Sequence, residues 1–380
     1  MQTNRDKQDI RVDGVRYSHD ALMEMLARKD WDEDDAKAPL WEFLAAWFDP
    51  SPLLTVHTSG STGKPKYLEV KKEQMMNSAC ITCRYLGLER DDSALLCMSL
   101  DYIAGKMMVV RALVAQFNLV YRIPSGHPMH DVEQPLRFAA MVPMQVYNSL
   151  HDEEERRRMD RIENLFIGGG AVDEALQQSL QMLSGKVYST YGMTETLSHI
   201  ALRRLNGRDA SDVYHPFDSV GLSLSEEGTL TIDAPLVCDE RLVTNDVAEL
   251  RADGSFRILG RKDNIVNSGG IKIQIEEVEQ RIKALFAVPF ALTSVPDARL
   301  GEALVLLVEK KALPLDGVPE PSEVWKEQLE MCIADRYRCP KHLYRVKHLP
   351  MTGSGKIDRA ACKRLAAECK AQEDTTDEKM

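Results

Sequence analysis

The sequence predicts an α/β fold: a large N-terminal domain of mostly parallel sheet with a small strand-rich attachment, followed by a compact α+β C-terminal domain. Three observations predict it. Short apolar runs alternate with segments of helical period through roughly the first 215 residues, and strands separated by helices of that length join by crossovers into a parallel sheet. From about Pro216 the texture changes to short strands broken at Glu227-Gly228 and Asp253-Gly254. A second change near Gly260 opens a segment that mixes helices and strands.

Taken in order, the chain starts polar, with no apolar stretch resembling a signal peptide between Met1 and Ile10. Ala21 to Trp47 reads as two helices, interrupted by Asp32 to Asp35 and by Pro39. Leu53 to His57 reads as a strand, Thr58 to Gly63 as a small-residue loop and Lys71 to Tyr85 as a helix, so the order is strand, glycine loop, helix. The rhythm repeats through the apolar runs 95–100, 119–123 and 138–142 and the helical 104–116. It continues with Leu165 to Ile167, the triple glycine Gly168 to Gly170, a helix from Asp173 to Met182 and a strand at Val187 to Ser189. Beyond Gly260 the pattern gives helices at 275–285 and 323–336 and strands near 291–295, 303–308 and 344–346. The expected boundaries are 1–260 and 261–367, with a loose tail at 368–380.

At 380 residues, with 44% hydrophobic and 28% charged side chains, this is an ordinary globular composition that excludes general disorder and collagen-like repetition. A formal net charge of −11 argues against nucleic acid as main partner, because phosphate-backbone binding needs an extended positive face. No apolar run reaches membrane-spanning length, so membrane insertion is not expected and the cytoplasm is the default location. The eight cysteines are scattered and read as reduced, packed thiols, including Cys80 and Cys83 inside a helical pattern.

Thr58-Ser59-Gly60-Ser61-Thr62-Gly63-Lys64-Pro65-Lys66 is the sharpest chemical signal. Its glycines let backbone amides turn toward an anion, its hydroxyls add donors, and Lys64 and Lys66 neutralise phosphate charge. It is not a Walker A loop, since two residues rather than four separate Gly60 from Gly63. Further along stand Gly168-Gly169-Gly170-Ala171, the run Tyr188 to Thr196, Thr244-Asn245-Asp246, the run Gly260 to Glu279, and Gly353-Ser354-Gly355-Lys356. Each has a plain structural alternative: a strand-to-helix turn, a polar helix cap, a surface ion pair between Asp246 and Arg261, a strand bend, an exposed lysine.

Together, in this order, these six segments resemble the signatures of the adenylate-forming superfamily of acyl-CoA synthetases, adenylation domains and luciferases. The resemblance covers approximately residues 53–360. It implies ATP, Mg²⁺ and coenzyme A as cofactor and co-substrates, and a C-terminal domain that is mobile. It places adenine against Gly169, Gly170 and Ala171 and beside Tyr191 and Gly192, phosphate on Thr194, and Mg²⁺ on Glu195. It gives ribose to Asp246, ribose or phosphate to Arg261, and a pivot to Asp263. Ser268, Gly269 and Gly270 fall beside the pantetheine tunnel, and Lys356 is the catalytic lysine of adenylation, with Thr194 and Glu195 as its partners in catalysis. Asn245 departs from the more usual glycine there.

The phosphate loop arrives near residue 58, whereas most members of the resembling family carry about a hundred or more residues before it, so part of the usual first subdomain is expected to be missing. The length and Tyr191-Gly192-Met193-Thr194-Glu195-Thr196-Leu197-Ser198-His199-Ile200 resemble the compact o-succinylbenzoate:CoA ligases of menaquinone biosynthesis. Ser198, His199 and Arg203 are the candidates for binding that acid. Three alternatives stay open: another aryl- or small-acid:CoA ligase, a carrier-protein-loading enzyme, and a nucleotide-binding protein without turnover. A homodimer is compatible with all of them.

Overall fold

The computed structural model describes residues 1–32, 34–57, 67–286, 288–310, 323–351 and 357–377, without side chains for 323–326 and 374–377. The expected phosphate loop, Thr58 to Lys66, and the loop carrying Lys356 lie outside the described residues.

A nine-stranded sheet forms the centre. From one edge its strands are His215–Pro216, His199–Arg204, Lys186–Gly192, Ile162–Ile167, Leu136–Met141, Ser93–Leu96, Asn118–Tyr121, Ile10–Val12 and Val15–Tyr17. The six from Lys186–Gly192 to Ile10–Val12 run parallel. They read as nearly continuous apolar runs because helices cover both faces. On one face lie the helices Lys72–Leu86 and Ile103–Ala115, with Met75, Ala79, Cys83, Met107, Val110 and Leu113 buried among strand residues such as Phe138 and Phe166. On the other, Pro143–His151, Glu153–Met159 and Glu174–Ser179 pack Val146, Leu150, Met159 and Leu176 against Leu95, Ala139, Leu165 and Val187. All eight cysteines are free, and Cys80 and Cys83 are buried on the first of these helices.

The chain start differs from its polar reading. Val12-Asp13-Gly14-Val15 is a two-residue hairpin with positive φ at Asp13 (47°) and Gly14 (83°), the turn whose twist matches the flanking strands. The hairpin adds two strands to the sheet edge, and the helix Ala38–Phe48 buries Leu40, Trp41, Phe43, Leu44 and Trp47 beside it. Pro39 does not interrupt that helix. It occupies its first turn, where a missing N–H is harmless.

The strand, loop, helix order at Leu53 is also corrected. Leu53–His57 pairs antiparallel with Tyr67–Lys71, so the phosphate-loop sequence joins two strands of a hairpin and the helix starts only at Lys72. The alternation in Tyr67-Leu68-Glu69-Val70-Lys71 carries that second strand, with Val70 buried and Glu69 exposed.

A four-stranded antiparallel sheet follows over Gly221–Leu224, Thr229–Asp233, Leu242–Leu250 and Phe256–Arg261. After the 3₁₀ turn Lys262–Asn264 comes a five-stranded sheet: Ile265–Ser268, Ile271–Gln274, Phe290–Asp297, Gly301–Glu309 and His342–Val346. It has its own two cores, one under the helices Ile275–Ile282 and Glu323–Ile333 and one under Arg359–Asp377. The last helix runs to Asp377, so most of the stretch expected to be loose from residue 368 is helical. Lys283, just past Ile275–Ile282, reaches back 2.8 Å to the carboxylate of Asp173, the N-cap of the helix Glu174–Ser179. No helix among the described residues is long and apolar enough to cross a membrane.

Candidate active site

Parallel strands deliver their loops at one end, where ligands of open α/β sheets bind. Here the carboxyl ends of Ile162–Ile167 and Lys186–Gly192 release Gly168 to Ala171 and the 3₁₀ turn Thr194–Thr196 side by side. Gly168 cannot carry a side chain, because a Cβ there would stand 2.5 Å from Thr190 Oγ1, and Gly169 has φ of +77°. A Cβ on Gly192 would meet the Ser198 carbonyl at 2.3 Å, so the turn folds back directly over that glycine. Thr196 Oγ1 locks the turn, accepting from Met193 N at 3.0 Å and bonding the Ser198 carbonyl at 2.8 Å. Leu197 follows with φ of +64°, an uncommon conformation for a branched side chain that costs of order 1 kcal/mol and marks a constrained site. The Glu195 carboxylate is exposed and has no partner among the described residues, and Thr194 is half-buried beside it.

Tyr191 donates its hydroxyl to Asp246 Oδ2 at 2.7 Å. Its ring meets Phe256 edge-on at 5.2 Å and Tyr214 at 5.8 Å, so a planar ligand would have only the remaining face. Burial, then the Asp246 charge, push its phenol pKa up, which keeps Tyr191 a donor. Asp246 and Arg261 are register partners on adjacent strands, and Arg261 donates to Asp246 Oδ1 at 3.3 Å. Its other terminal nitrogen bonds Asp263 Oδ2 at 3.2 Å, which also accepts from Asn245 at 3.1 Å. Each Asp246 oxygen therefore holds one partner and keeps a free lone pair, which fits a diol.

Ser268 is buried at the end of its strand, and Gly269 (φ +61°) and Gly270 (φ +83°) form the two-residue turn of the hairpin to Ile271. Backbone conformation alone thus demands these glycines, whatever passes over them.

Ser198 and His199 lie together with two residues that the sequence reading missed. Arg111, 3% exposed on the mostly apolar helix Ile103–Ala115, donates to Ser198 Oγ at 2.6 Å. His199 joins Ser198 Oγ (3.2 Å from Nδ1) to Thr82 Oγ1 (3.0 Å from Nε2). Arg111 has no carboxylate within ion-pair distance among the described residues, and its Nε is unsatisfied. Desolvation pushes its pKa down to about 10, so it remains charged at neutral pH. Aromatic rings wall this cluster: Phe166 and Phe217 stand 5.0 and 5.7 Å from His199, and Tyr85 reaches both Phe217 and Tyr188. Arg203 is not part of it. Its guanidinium lies over Tyr214, 5.5 Å from the ring centroid.

Desolvation, with help from the Arg111 charge, holds the His199 pKa well below 6.5. A base depressed in the folded state takes up its proton first on unfolding, so its contribution is intact above pH 6.5 and declines as pH falls below it. Denaturant midpoints measured between pH 7 and 5 should fall, by at most about 1.4 kcal/mol per pH unit from this residue, and His199→Gln should flatten the slope.

The family model described as AMP-binding enzyme matches residues 3–234. The chain belongs to the AMP-binding enzyme family. As an AMP-binding enzyme it is an ATP-dependent, AMP-forming acid–thiol ligase. It is 34% identical to the acyl-CoA synthetase (AMP-forming)/AMP-acid ligase II-like protein from Dyadobacter fermentans DSM 18053, with 89% of this chain and 96% of that one covered and a TM-score of 0.60. The 2-succinylbenzoate--CoA ligase of Geobacillus sp. (strain WCH70) is 25% identical over 340 residues, 82% of this chain and 68% of the relative. The o-succinylbenzoate coenzyme A synthetase of Bacillus subtilis, solved with ATP and magnesium ion, shares the fold of this AMP-binding enzyme at a TM-score of 0.67 and 20% identity, over 80% of this chain and 68% of that one.

Proposed function

We propose that this enzyme is an o-succinylbenzoate:CoA ligase, acting in the cytoplasm for menaquinone biosynthesis. The observation that carries the reading is the buried, unpaired Arg111 guanidinium with Ser198, set against an aromatic wall. A buried cation without a counter-charge costs several kcal/mol unless an anion completes it. An acid with two carboxylates and a ring satisfies both features: one carboxylate reacts, the other meets Arg111, and the ring lies along Phe166, Phe217 and Tyr85.

In the first step a carboxylate oxygen attacks the α-phosphorus of ATP, and the bond to pyrophosphate breaks. Thr58 to Lys66 hold the phosphates, Asp246 accepts the ribose hydroxyls, Arg261 steadies that carboxylate, and Gly168 to Ala171 with Tyr191 flank adenine. Lys356 places its ammonium where charge gathers on the phosphate oxygens. No group of three or more His, Cys, Asp or Glu side chains placed to hold a metal ion occurs among the described residues. One exposed carboxylate, Glu195, suits an ion that keeps water and phosphate ligands, as magnesium does. Bound there, Mg²⁺ would supply charge neutralisation on the phosphates. In the second step the CoA sulfur attacks the acyl carbon and AMP leaves, with residues 261–367 turned about Asp263 so that Ser268 to Gly270 replace Lys356 at the cleft.

Pyrophosphate and AMP release measured across a panel of acids tests the assignment. Turnover with o-succinylbenzoate and formation of its CoA thioester are expected. Turnover of benzoate or fatty acids with none of that product would refute the substrate, and an adenylate that forms without acylating CoA would favour carrier-protein loading. Asp246→Asn should raise the KM for ATP in pyrophosphate exchange by about 10- to 100-fold, the scale of a hydrogen bond to a charged group, and an unchanged KM would remove Asp246 from the ribose.

A further inference from the structure

The opposite edge of the central sheet gathers positive charge in a chain of net charge −11. The N-terminal hairpin sets Arg11 directly across from Arg16. Like charges facing each other on neighbouring strands are destabilising. Asp9, almost buried, answers part of that charge: its Oδ2 takes Arg16 Nε at 2.8 Å and stands 4.0 Å from Arg90, and its Oδ1 accepts from Gln116 Nε2 at 2.5 Å. Arg90 donates in turn to Gln116 Oε1 at 2.6 Å. Arg11 has no hydrogen-bond or ion-pair partner among the described residues. Three guanidinium groups around one carboxylate leave an excess of positive charge.

The backbone gives a second pointer. Gln116 ends the helix Ile103–Ala115 with φ of +63°, a left-handed conformation that glycine would adopt at lower cost. Its amide bridges Asp9 and Arg90. The five side chains line a cavity of about 20 Å³, room for one water-sized oxygen. A nucleoside is too large for it, whereas a tetrahedral oxyanion can seat one oxygen in the cavity and leave the others at its mouth. Guanidinium forks match such oxyanions in geometry as well as charge.

Asp9, Gln116 and Arg90 stand at the amino ends of the parallel strands Ile10–Val12, Asn118–Tyr121 and Ser93–Leu96. The loops after Ile167 and Gly192 stand at the carboxyl ends. Strands of three or four residues separate their amino and carboxyl ends by about 10–13 Å.

We propose that Arg11, Arg16, Arg90 and Gln116, with Asp9 orienting them, form a second oxyanion site that takes one phosphoryl group, free as inorganic phosphate or as one end of pyrophosphate. Arg11 is its uncommitted fork. Because the cluster lies on the far edge of the sheet, its occupancy is independent of AMP at the nucleotide end.

Isothermal titration of the full chain with inorganic phosphate, and separately with pyrophosphate, each with and without saturating AMP, tests this. A binding event that persists under AMP and weakens at least about tenfold in Arg11→Gln is expected, and Arg90→Gln should weaken it likewise. Melting temperature without added anion checks that each variant is folded. Binding of phosphate identifies the free ion, and binding confined to pyrophosphate identifies the diphosphate; either supports the site. Complete competition by AMP, wild-type binding in both folded variants, or no binding of either anion to the wild type would overturn it.

Discussion

Arg111→Met is expected to make the protein more stable and nearly inactive on o-succinylbenzoate. Arg111 is 3% exposed, has no ion-pair partner among the described residues and leaves its Nε unsatisfied. Exchanging buried ionic groups for apolar ones of similar volume is neutral or stabilising by about 1–4 kcal/mol, and methionine fills irregular space well. Urea midpoints at neutral pH should therefore hold or rise. Catalysis should move the other way. Losing one side of a buried, hydrogen-bonded charge pair costs about 2–5 kcal/mol, so kcat/KM should fall by roughly 30- to 5,000-fold. Adenylation of benzoate, which lacks a second carboxylate, should change little. Arg111→Lys keeps the charge but loses the fork, and should fall between the two. An equal loss on both acids would show that Arg111 serves the fold of the site rather than the second carboxylate.

Lys356→Ala should depress adenylate formation by about 10²- to 10³-fold, the cost of removing one donor aimed at developing negative charge. Lys356 stands between Gly355 and Ile357, after Thr352 and Ser354, outside the described residues. Attack of CoA on an acyl-adenylate supplied ready-made should survive, because in the proposed second orientation Ser268 to Gly270 replace Lys356 at the cleft. The two rates can be separated by pyrophosphate exchange and by thioester formation from added adenylate. Equal loss in both would deny Lys356 a role confined to the first step.

The alternating texture of the central sheet was legible because its strands are apolar throughout and its helices keep their own period, so Leu165 to Ile167 and Lys71 to Tyr85 point to elements directly. Asp13-Gly14 carried a hairpin signal too, but flanking Arg11 and Arg16 made the strands read as polar. The strand Tyr67–Lys71 was hidden because its five residues run straight into a helix. At the candidate site, Asp246 and Arg261 lie 15 residues apart, and antiparallel pairing brings them into register. Arg111 was harder to find. A single arginine in the run Met107 to Ala115 was its only local mark, and its partner Ser198 is 87 residues away. Thr82 and His199, 117 residues apart, meet only once the sheet is assembled. Such contacts belong to the tertiary fold and leave no periodicity in the chain.

The bridge from Lys283 to Asp173 bears on the domain turn proposed above. Both side chains are about half exposed, 49% each, and solvent-facing pairs of this kind are worth at most about 1 kcal/mol. Thermal energy at room temperature suffices to break such a tether, and dissolved electrolyte weakens it further. Under the turn about Asp263 proposed above, it would act as a magnetic door catch, too weak to delay the swing.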